Sequence, residues 1–215
     1  MTSITDIHTH RLQASHALIA VEPGQFRPEP GRCYAVGFHP WTPEAALTED
    51  HYRLLAATAR HPQVMAVGET GLDSLRGDPL SVQQRRFTRH VRLADELGMP
   101  VVAHCVRAWQ QLLQVWRDTA PHTGALVVHG FRGNERVART LLAAGCYLSY
   151  GRHFNAMALQ ATPPDRLLAE TDDAPEDIGQ VLALIADTLH QPAEQVRRRV
   201  TQNAATVLRF THPPK

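Results

Sequence analysis

Two histidines and an acidic residue stand close together near the start of the chain, in the segment ITDIHTH at residues 4–10. In an extended strand successive side chains alternate between two faces, so Asp6, His8 and His10 share one face. Two imidazoles at this spacing can bind one metal ion, and a carboxylate two residues earlier can hold an imidazole in the required tautomer. Because the chain has 13 histidines, the pattern predicts a metal site only if further ligands follow later strands.

Residues of the same chemical kind recur where later apolar runs end. Taken alone, a histidine in such a place is more often structural than a ligand, and a carboxylate is more often a helix cap. Six together are costly to bury without a compensating cation. The candidate metal ligands are His8, His10, Glu69, His104, His129 and Asp172.

Four histidines and two carboxylates suit divalent ions such as Zn²⁺, Mn²⁺ or Mg²⁺. They are more ligands than one tetrahedral ion uses, so the set predicts two ions that share a bridging carboxylate. The surplus positive charge of such a centre would attract an anionic substrate such as a phosphodiester. Water bound there has a pKa lowered to about 7, and a neighbouring carboxylate can orient it or take its proton.

The composition is that of an ordinary globular protein. The 215 residues fit one domain spanning 1–215, with 43% hydrophobic and 20% charged residues. The formal net charge of +1 excludes a strong overall attraction to nucleic acid, so any phosphate binding needs a local site. Three cysteines without a CxxC pair, no secretory signal and no apolar membrane span predict a reduced, cytoplasmic protein.

Short apolar strands alternate with helical stretches along the chain, which predicts seven or eight strands in a mainly parallel sheet. The ligand-type residues follow strands spread over the whole chain, and only a closed barrel brings all those strand ends to one rim. The five residues 11–15 that follow His10 are too few for a crossover helix before the run at 17–21. The second strand is therefore expected to be irregular or antiparallel to the first.

Local signals place the helices. Pro43 is expected to begin a helix that runs through Arg60, and Ser81 to be the N-cap of a helix through Leu97. Further helices are predicted over about 108–119, 134–144, 176–190 and 193–210.

Together these stretches resemble the TatD family of metal-dependent deoxyribonucleases, which are amidohydrolase-like TIM barrels. The matching motifs, in family order, are DIHTH (6–10), GFHP (37–40), GETGLD (68–73), PVVAH (100–104), HGFRG (129–133), ETD (170–172) and the segment 203–210. The resemblance covers nearly the whole chain. It implies a distorted TIM (β/α) barrel of 7–8 strands with an irregular second strand and an extra C-terminal helix.

The resemblance also implies roles for individual residues. His8, His10 and Asp172 would bind a first metal ion, and His104 and His129 a second. Glu69 would bridge the two ions, and Asp172 would also be the base for the attacking water. His39 would lie at the edge of the substrate site.

The chain departs from the usual family pattern at the rim. The family has an arginine two residues after the histidine that corresponds to His104. In this chain Val106 occupies that position, and Arg107 is one position further on. Arg107 and Arg132 remain candidates for phosphate binding. The segments 11–32 and 173–176 are short, which suggests a compact branch of the family with altered substrate choice.

Three functions follow, in order of preference. The first is a deoxyribonuclease or other phosphodiesterase that uses water activated by two divalent metals, with DNA as its partner and a monomeric chain. The second keeps the metals but hydrolyses a small amide, lactone or other ester. The third is a non-catalytic metal-binding barrel, which the complete ligand set disfavours.

Overall fold

The structure is a computed structural model that describes residues 3–119 and 124–208. Within these ranges the chain forms eight β-strands and seven α-helices. The strands are β1 (Asp6–Thr9), β2 (Ala17–Val21), β3 (Cys33–Val36), β4 (Val64–Asp73), β5 (Val101–Val106), β6 (Leu126–Val128), β7 (Tyr147–Tyr150) and β8 (Leu167–Ala169). The helices are α1 (Glu49–Ala59), α2 (Leu80–Leu97), α3 (Trp109–Asp118), α4 (Glu135–Ala143), α5 (Ala156–Gln160), α6 (Ile178–Leu189) and α7 (Ala193–Leu208).

The strands form one sheet in the order β1 to β8, and every neighbouring pair is parallel. The two edges meet just beyond β8, where Asp172 forms a parallel bridge with Thr9. The Asp172 N–H donates to the His8 carbonyl at 2.9 Å, and the His10 N–H donates to the Asp172 carbonyl at 3.2 Å. The predicted distorted TIM barrel is confirmed, and the carboxyl ends of its strands share one rim.

Two apolar layers hold the barrel together. Strand residues that face outwards pack against α2 to α6 in the larger cluster, which includes Phe87, Leu112 and Leu141. A second cluster contains Val102 and Val127, each two residues before a predicted histidine ligand. Because side chains alternate along a strand, these two valines face the same way as the ligands and lie directly beneath them.

The second strand is irregular, as predicted, but it is parallel to β1 rather than antiparallel. The β1–β2 register shifts between Asp6 and Thr9. A helix is unnecessary here because β1 has only four residues, about 13 Å, and the seven residues 10–16 can span about 23 Å. His16 turns the chain with φ of 56°, and its carbonyl accepts the N–H groups of Thr5 and Asp6.

Two predicted helix starts are wrong. The segment after Pro43 forms a 3₁₀ turn at Glu44–Ala46, and α1 begins later, behind its N-cap Thr48. Ser81 lies inside the first turn of α2 rather than before it. The Pro79 carbonyl accepts the N–H groups of residues 82 and 83, so proline is the N-cap and the helix starts two residues earlier than predicted.

The remaining helices agree with the predicted positions to within about two residues where the structure describes them. Asn134 caps α4 by accepting the Val137 N–H, and the predicted helix end at 209–210 lies outside the described residues. Helix α5 was not predicted, because five residues are too few for a helical period to be visible. No described helix combines the length and apolar character that crossing a bilayer requires.

A buried histidine on α2 makes the stability of the fold depend on pH. Burial lowers the pKa of His90 to about 4, so the unfolded chain binds a proton in mild acid and the folded chain does not. Above about pH 6.5 the His90 ring is neutral in both states and costs no stability. As pH falls from about 6.5 through about 4, the free energy of unfolding decreases by about 3 kcal/mol. Urea unfolding should show wild type losing that much more stability than His90→Gln between pH 7 and 4; equal losses would contradict the assignment.

Candidate metal centre

All six predicted ligands meet at the carboxyl rim, and Glu69 on β4 lies at their centre. Its Oε2 atom is 3.4 Å from His8 Nε2 and 3.1 Å from His10 Nε2. Its Oε1 atom is 3.3 Å from His104 Nδ1 and 2.8 Å from His129 Nε2. Each carboxylate oxygen therefore faces a different pair of histidines, as a carboxylate shared between two cations would.

Asp172 completes the group around the first oxygen. Its Oδ1 atom lies 3.6 Å from His8 Nε2 and 3.5 Å from His10 Nε2. The residue has a φ of 53°, a left-handed conformation that aspartate and asparagine tolerate better than most residues. Backbone hydrogen bonds to β1 hold Asp172 in this conformation. The same bonds that close the barrel therefore also direct its carboxylate towards His8 and His10.

Two further carboxylates stand behind the histidines of the second group. Asp73 Oδ2 is 3.3 Å from His104 Nε2, and Glu170 Oε1 is 3.4 Å from His129 Nδ1. Each contact leaves the opposite ring nitrogen directed at Glu69. Pairing the outer nitrogen with a carboxylate fixes the tautomer and increases the basicity of the inner one.

Glu170 was missed as a site residue by the sequence reasoning. It is fully buried, and its Oε1 also accepts the Gly130 N–H at 2.7 Å. The available signal was an acidic residue directly after the apolar β8 and two residues before Asp172, a spacing that puts both side chains on one face of an extended chain. Asp73 also has a supporting role, since it accepts the Leu75 N–H and the Trp41 indole N–H besides contacting His104.

The role expected for Asp6 was wrong. Asp6 does not contact an imidazole; it accepts the Thr171 N–H at 3.0 Å, the Thr171 hydroxyl at 2.6 Å and the His8 backbone N–H at 3.3 Å. Burial raises the pKa of Asp6 to about 6 against these bonds. Through these bonds Asp6 contacts the segment that follows β8, so it links the two edges of the sheet.

His39 lies closer to the centre than an edge position suggests. Its Nε2 atom is 3.0 Å from Glu69 Oε1, beside His104. Trp41, which is 42% exposed, contacts His39 edge to face with ring centroids 4.5 Å apart. His39 thus belongs, with Glu69 and His104, to a group of side chains whose ligand atoms could hold one ion together.

The ionisable groups of the centre shift one another strongly. Burial and the charge of His129 act to lower the pKa of His8, but attraction to Asp172 and Glu69 outweighs them and raises it to about 9. Burial also opposes protonation of His129, yet the charges of Glu69 and Glu170 hold its pKa well above the ordinary value. The two rings stack with centroids 3.9 Å apart, so two imidazolium cations repel here.

The carboxylates stay ionised despite their burial. Burial acts to raise the pKa of Glu69, but the charge of His129 and hydrogen bonds from His10 and His104 hold it well below its ordinary value. Burial opposes ionisation of Asp172 too, and His8 lowers its pKa to about 2. At neutral pH both carboxylates are therefore ionised and available to cations, either protonated histidines or metal ions.

The donor set fits divalent metal ions. Both ring nitrogens of the fully buried His8 lack a hydrogen-bond partner among the described residues. Buried polar atoms are normally hydrogen-bonded, so these two nitrogens are available to a metal ion. Ligand atoms within 4.8 Å of one another occur in overlapping groups of three around Glu69 and Asp172. Divalent ions would offset the carboxylate charge while leaving the stacked rings neutral.

A cleft of about 620 Å³ opens beside the second group of ligands. Its walls include Trp41, Trp109, Arg107 and Arg132. Both arginines are exposed, and neither forms an ion pair with a described acidic side chain. They are therefore free to meet an anion that enters the cleft.

The fold and the site define a parallel β/α barrel with a histidine–carboxylate centre at its carboxyl rim. The family model described as TatD related DNase matches residues 26–209. The chain belongs to this family, as its motifs predicted.

Individual relatives agree. A 3'-5' ssDNA/RNA exonuclease TatD from Pantoea vagans is 30% identical over 235 aligned positions, which cover 94% of this chain and 86% of the relative. The protein of that name from Musicola paradisiaca is 37% identical over 162 positions, 66% of this chain and 58% of the relative's length. The solved TatD homologue YjjV of Escherichia coli has a TM-score of 0.78 at 23% identity, covering 90% of this chain and 86% of YjjV, which shows the shared fold.

Proposed function

We propose that the protein is a divalent-metal-dependent phosphodiesterase that cleaves DNA or a related nucleic acid. The observation that carries the proposal is the central Glu69, whose two oxygens face separate histidine groups. The relatives named ssDNA/RNA exonuclease support nucleic acid as the substrate class. The proposed centre holds two ions of Zn²⁺, Mn²⁺ or Mg²⁺.

The residues divide the work between them. In the proposed centre His8, His10 and Asp172 would hold the first ion, His104 and His129 the second, and Glu69 would serve both. Divalent ions bound there would lower the pKa of a bound water and polarise the phosphoryl oxygen. Asp172 would take the proton of the attacking water, since its carboxylate lies beside His8 and His10 and is ionised at neutral pH.

Substrate contacts come from the cleft and its rim. Arg107 and Arg132, which line the cleft, bind phosphate groups of the substrate, and His39 contacts the reacting phosphate beside Glu69. The indole of Trp41 offers a surface on which a base or sugar packs. The protein is proposed to act as a monomer in the cytoplasm.

The test is cleavage of labelled single-stranded DNA and RNA by purified protein loaded with each metal in turn. Activity that chelation abolishes and metal restores is expected, with Glu69→Gln as an inactive control. A parallel panel of lactones, amides and carboxylic esters separates the alternative hydrolase. Metal-loaded protein that is inert on every phosphodiester would refute the proposal.

Metal binding is expected to release protons. Because the pKa of His8 is raised to about 9, its ring is protonated at neutral pH and an incoming ion must displace that proton. The apparent affinity for Mn²⁺ should rise roughly tenfold per pH unit for each displaced proton and level off above about pH 9. Calorimetric titration in two buffers of different ionisation enthalpy counts the protons, and equal heats would contradict the expectation.

A further inference from the structure

Three polar side chains form a buried stripe on the inner face of α2. Gln83, Arg86 and His90 are only 1%, 2% and 0% exposed. Their spacing of three and four residues places them on one face of the helix. Buried polar groups must be paired, and all three pair with the loops that follow β3 and β4. The loop after β3 carries His39 and Trp41, and Asp73 is the last residue of β4, directly before the second loop.

Arg86 holds the loop after β3 by its backbone. Its Nη1 group donates to the carbonyls of His39 at 3.2 Å, Pro40 at 3.4 Å and Thr42. A planar guanidinium can bond several carbonyls at once, which a lysine ammonium does less rigidly. The contact begins at His39 itself, whose side chain reaches Glu69.

Two carboxylates balance the buried charge of Arg86 and tie the two loops together. Its Nη2 is 2.8 Å from Asp78 Oδ2, and its Nε is 3.2 Å from Glu44 Oε2. Asp78 Oδ2 also accepts the Glu44 backbone N–H at 2.7 Å. Asp78 follows β4 and Glu44 follows β3, so one arginine joins both loops.

The other two members of the stripe extend the same arrangement. Gln83 accepts the Asp73 N–H at 2.7 Å and donates to the Asp73 carbonyl at 2.9 Å. His90 Nε2 accepts the Phe38 N–H at 3.0 Å. Every one of these bonds ends on or next to a residue that lines the proposed site.

We propose that Arg86 is a positioning residue, which fixes the loop after β3 and thereby places the His39 imidazole against Glu69. Gln83 does the same for Asp73, the carboxylate behind His104. Neither side chain touches the reacting groups. The catalytic consequence rests on the proposed function, but the placement of the loop does not.

The first experiment is a double-mutant cycle on cleavage of single-stranded DNA by the Mn²⁺-loaded protein. Arg86→Met should lower kcat/KM by about 10²-fold, the order expected for a misplaced catalytic group. In the His39→Ala background the same change should cost less than about threefold, because the group it positions is gone. Equal losses in the two backgrounds would show a general structural role and overturn the proposal.

The second experiment needs no activity. Hydrogen exchange of residues 38–44 should be faster in Arg86→Met than in wild type. Asn203→Ala is the matched control, because buried Asn203 also bonds two backbone carbonyls, of Pro164 and Leu167, at the opposite end of the barrel. That variant should leave both exchange at 38–44 and kcat/KM unchanged.

The two experiments separate the possible failures. If wild type cleaves nothing, the proposed function fails and the exchange data still decide whether Arg86 holds the loop. Unchanged exchange in Arg86→Met, or the same increase in Asn203→Ala, would overturn the placement. Should Arg86→Met fail to fold, Arg86→Lys replaces it, since it keeps the charge but not the planar set of donors.

Discussion

Glu69→Gln is expected to abolish activity, with a loss of roughly 10³-fold or more in kcat/KM. Glutamine has nearly the same shape but no charge, and one of its two terminal atoms is a donor where both oxygens now face imidazoles. The side chain can no longer serve both histidine groups. Bound metal, measured by mass spectrometry after dialysis, should fall by at least one ion per chain.

Glu96→Gln is the matched control, because Glu96 is an exposed glutamate that pairs with Arg60 on the helical surface. It should retain wild-type metal content and rate. A Glu69→Gln protein that keeps both its metal and more than about a tenth of its activity would remove Glu69 from the centre of the mechanism.

Asp172→Asn is expected to lower kcat by about 10³-fold with little change in folding. Asparagine tolerates the left-handed φ of 53° at this position, and the backbone bonds to β1 do not depend on the side chain. The substitution therefore removes the carboxylate that takes a proton and leaves the barrel closed. Rate measurements with saturating substrate and thermal unfolding of the same sample test both halves of the prediction.

Asp165→Asn provides the comparison, since Asp165 is an exposed aspartate in the 3₁₀ turn that precedes β8, at the end of that strand away from the carboxyl rim. Its rate should equal that of wild type. If Asp172→Asn unfolds at a markedly lower temperature and its activity loss follows the unfolded fraction, the residue is structural rather than catalytic.

The barrel and the ligand set could be predicted because they depend on a regular relation between sequence and space. Apolar strands separated by helices form a parallel barrel, and every such strand ends at the same rim. His104 and His129 could therefore be recognised in the sequence as polar residues at the ends of apolar runs. The direction of β2 could not be predicted, because a connection of seven residues is shorter than the usual crossover between parallel strands. Here it is long enough to return to the start of the sheet because β1 has only four residues.

The supporting residues were harder to predict, because their partners are far away in sequence. Asp6 has the sequence position expected of a carboxylate that orients an imidazole. Its carboxylate instead accepts hydrogen bonds from Thr171, which is 165 positions away. Glu170 meets His129 across 41 positions of the chain. Arg86 looked like one of many surface arginines until α2 was packed against two loops.

Barrel closure has a consequence for how such a protein comes into being. His8 and His10 are synthesised long before Asp172, the carboxylate that completes their group and whose backbone hydrogen-bonds to β1. A growing chain therefore lacks the complete ligand set until residue 172 has left the ribosome. Fragments that stop before β8 should bind metal more weakly than the whole chain, whatever metal surrounds them.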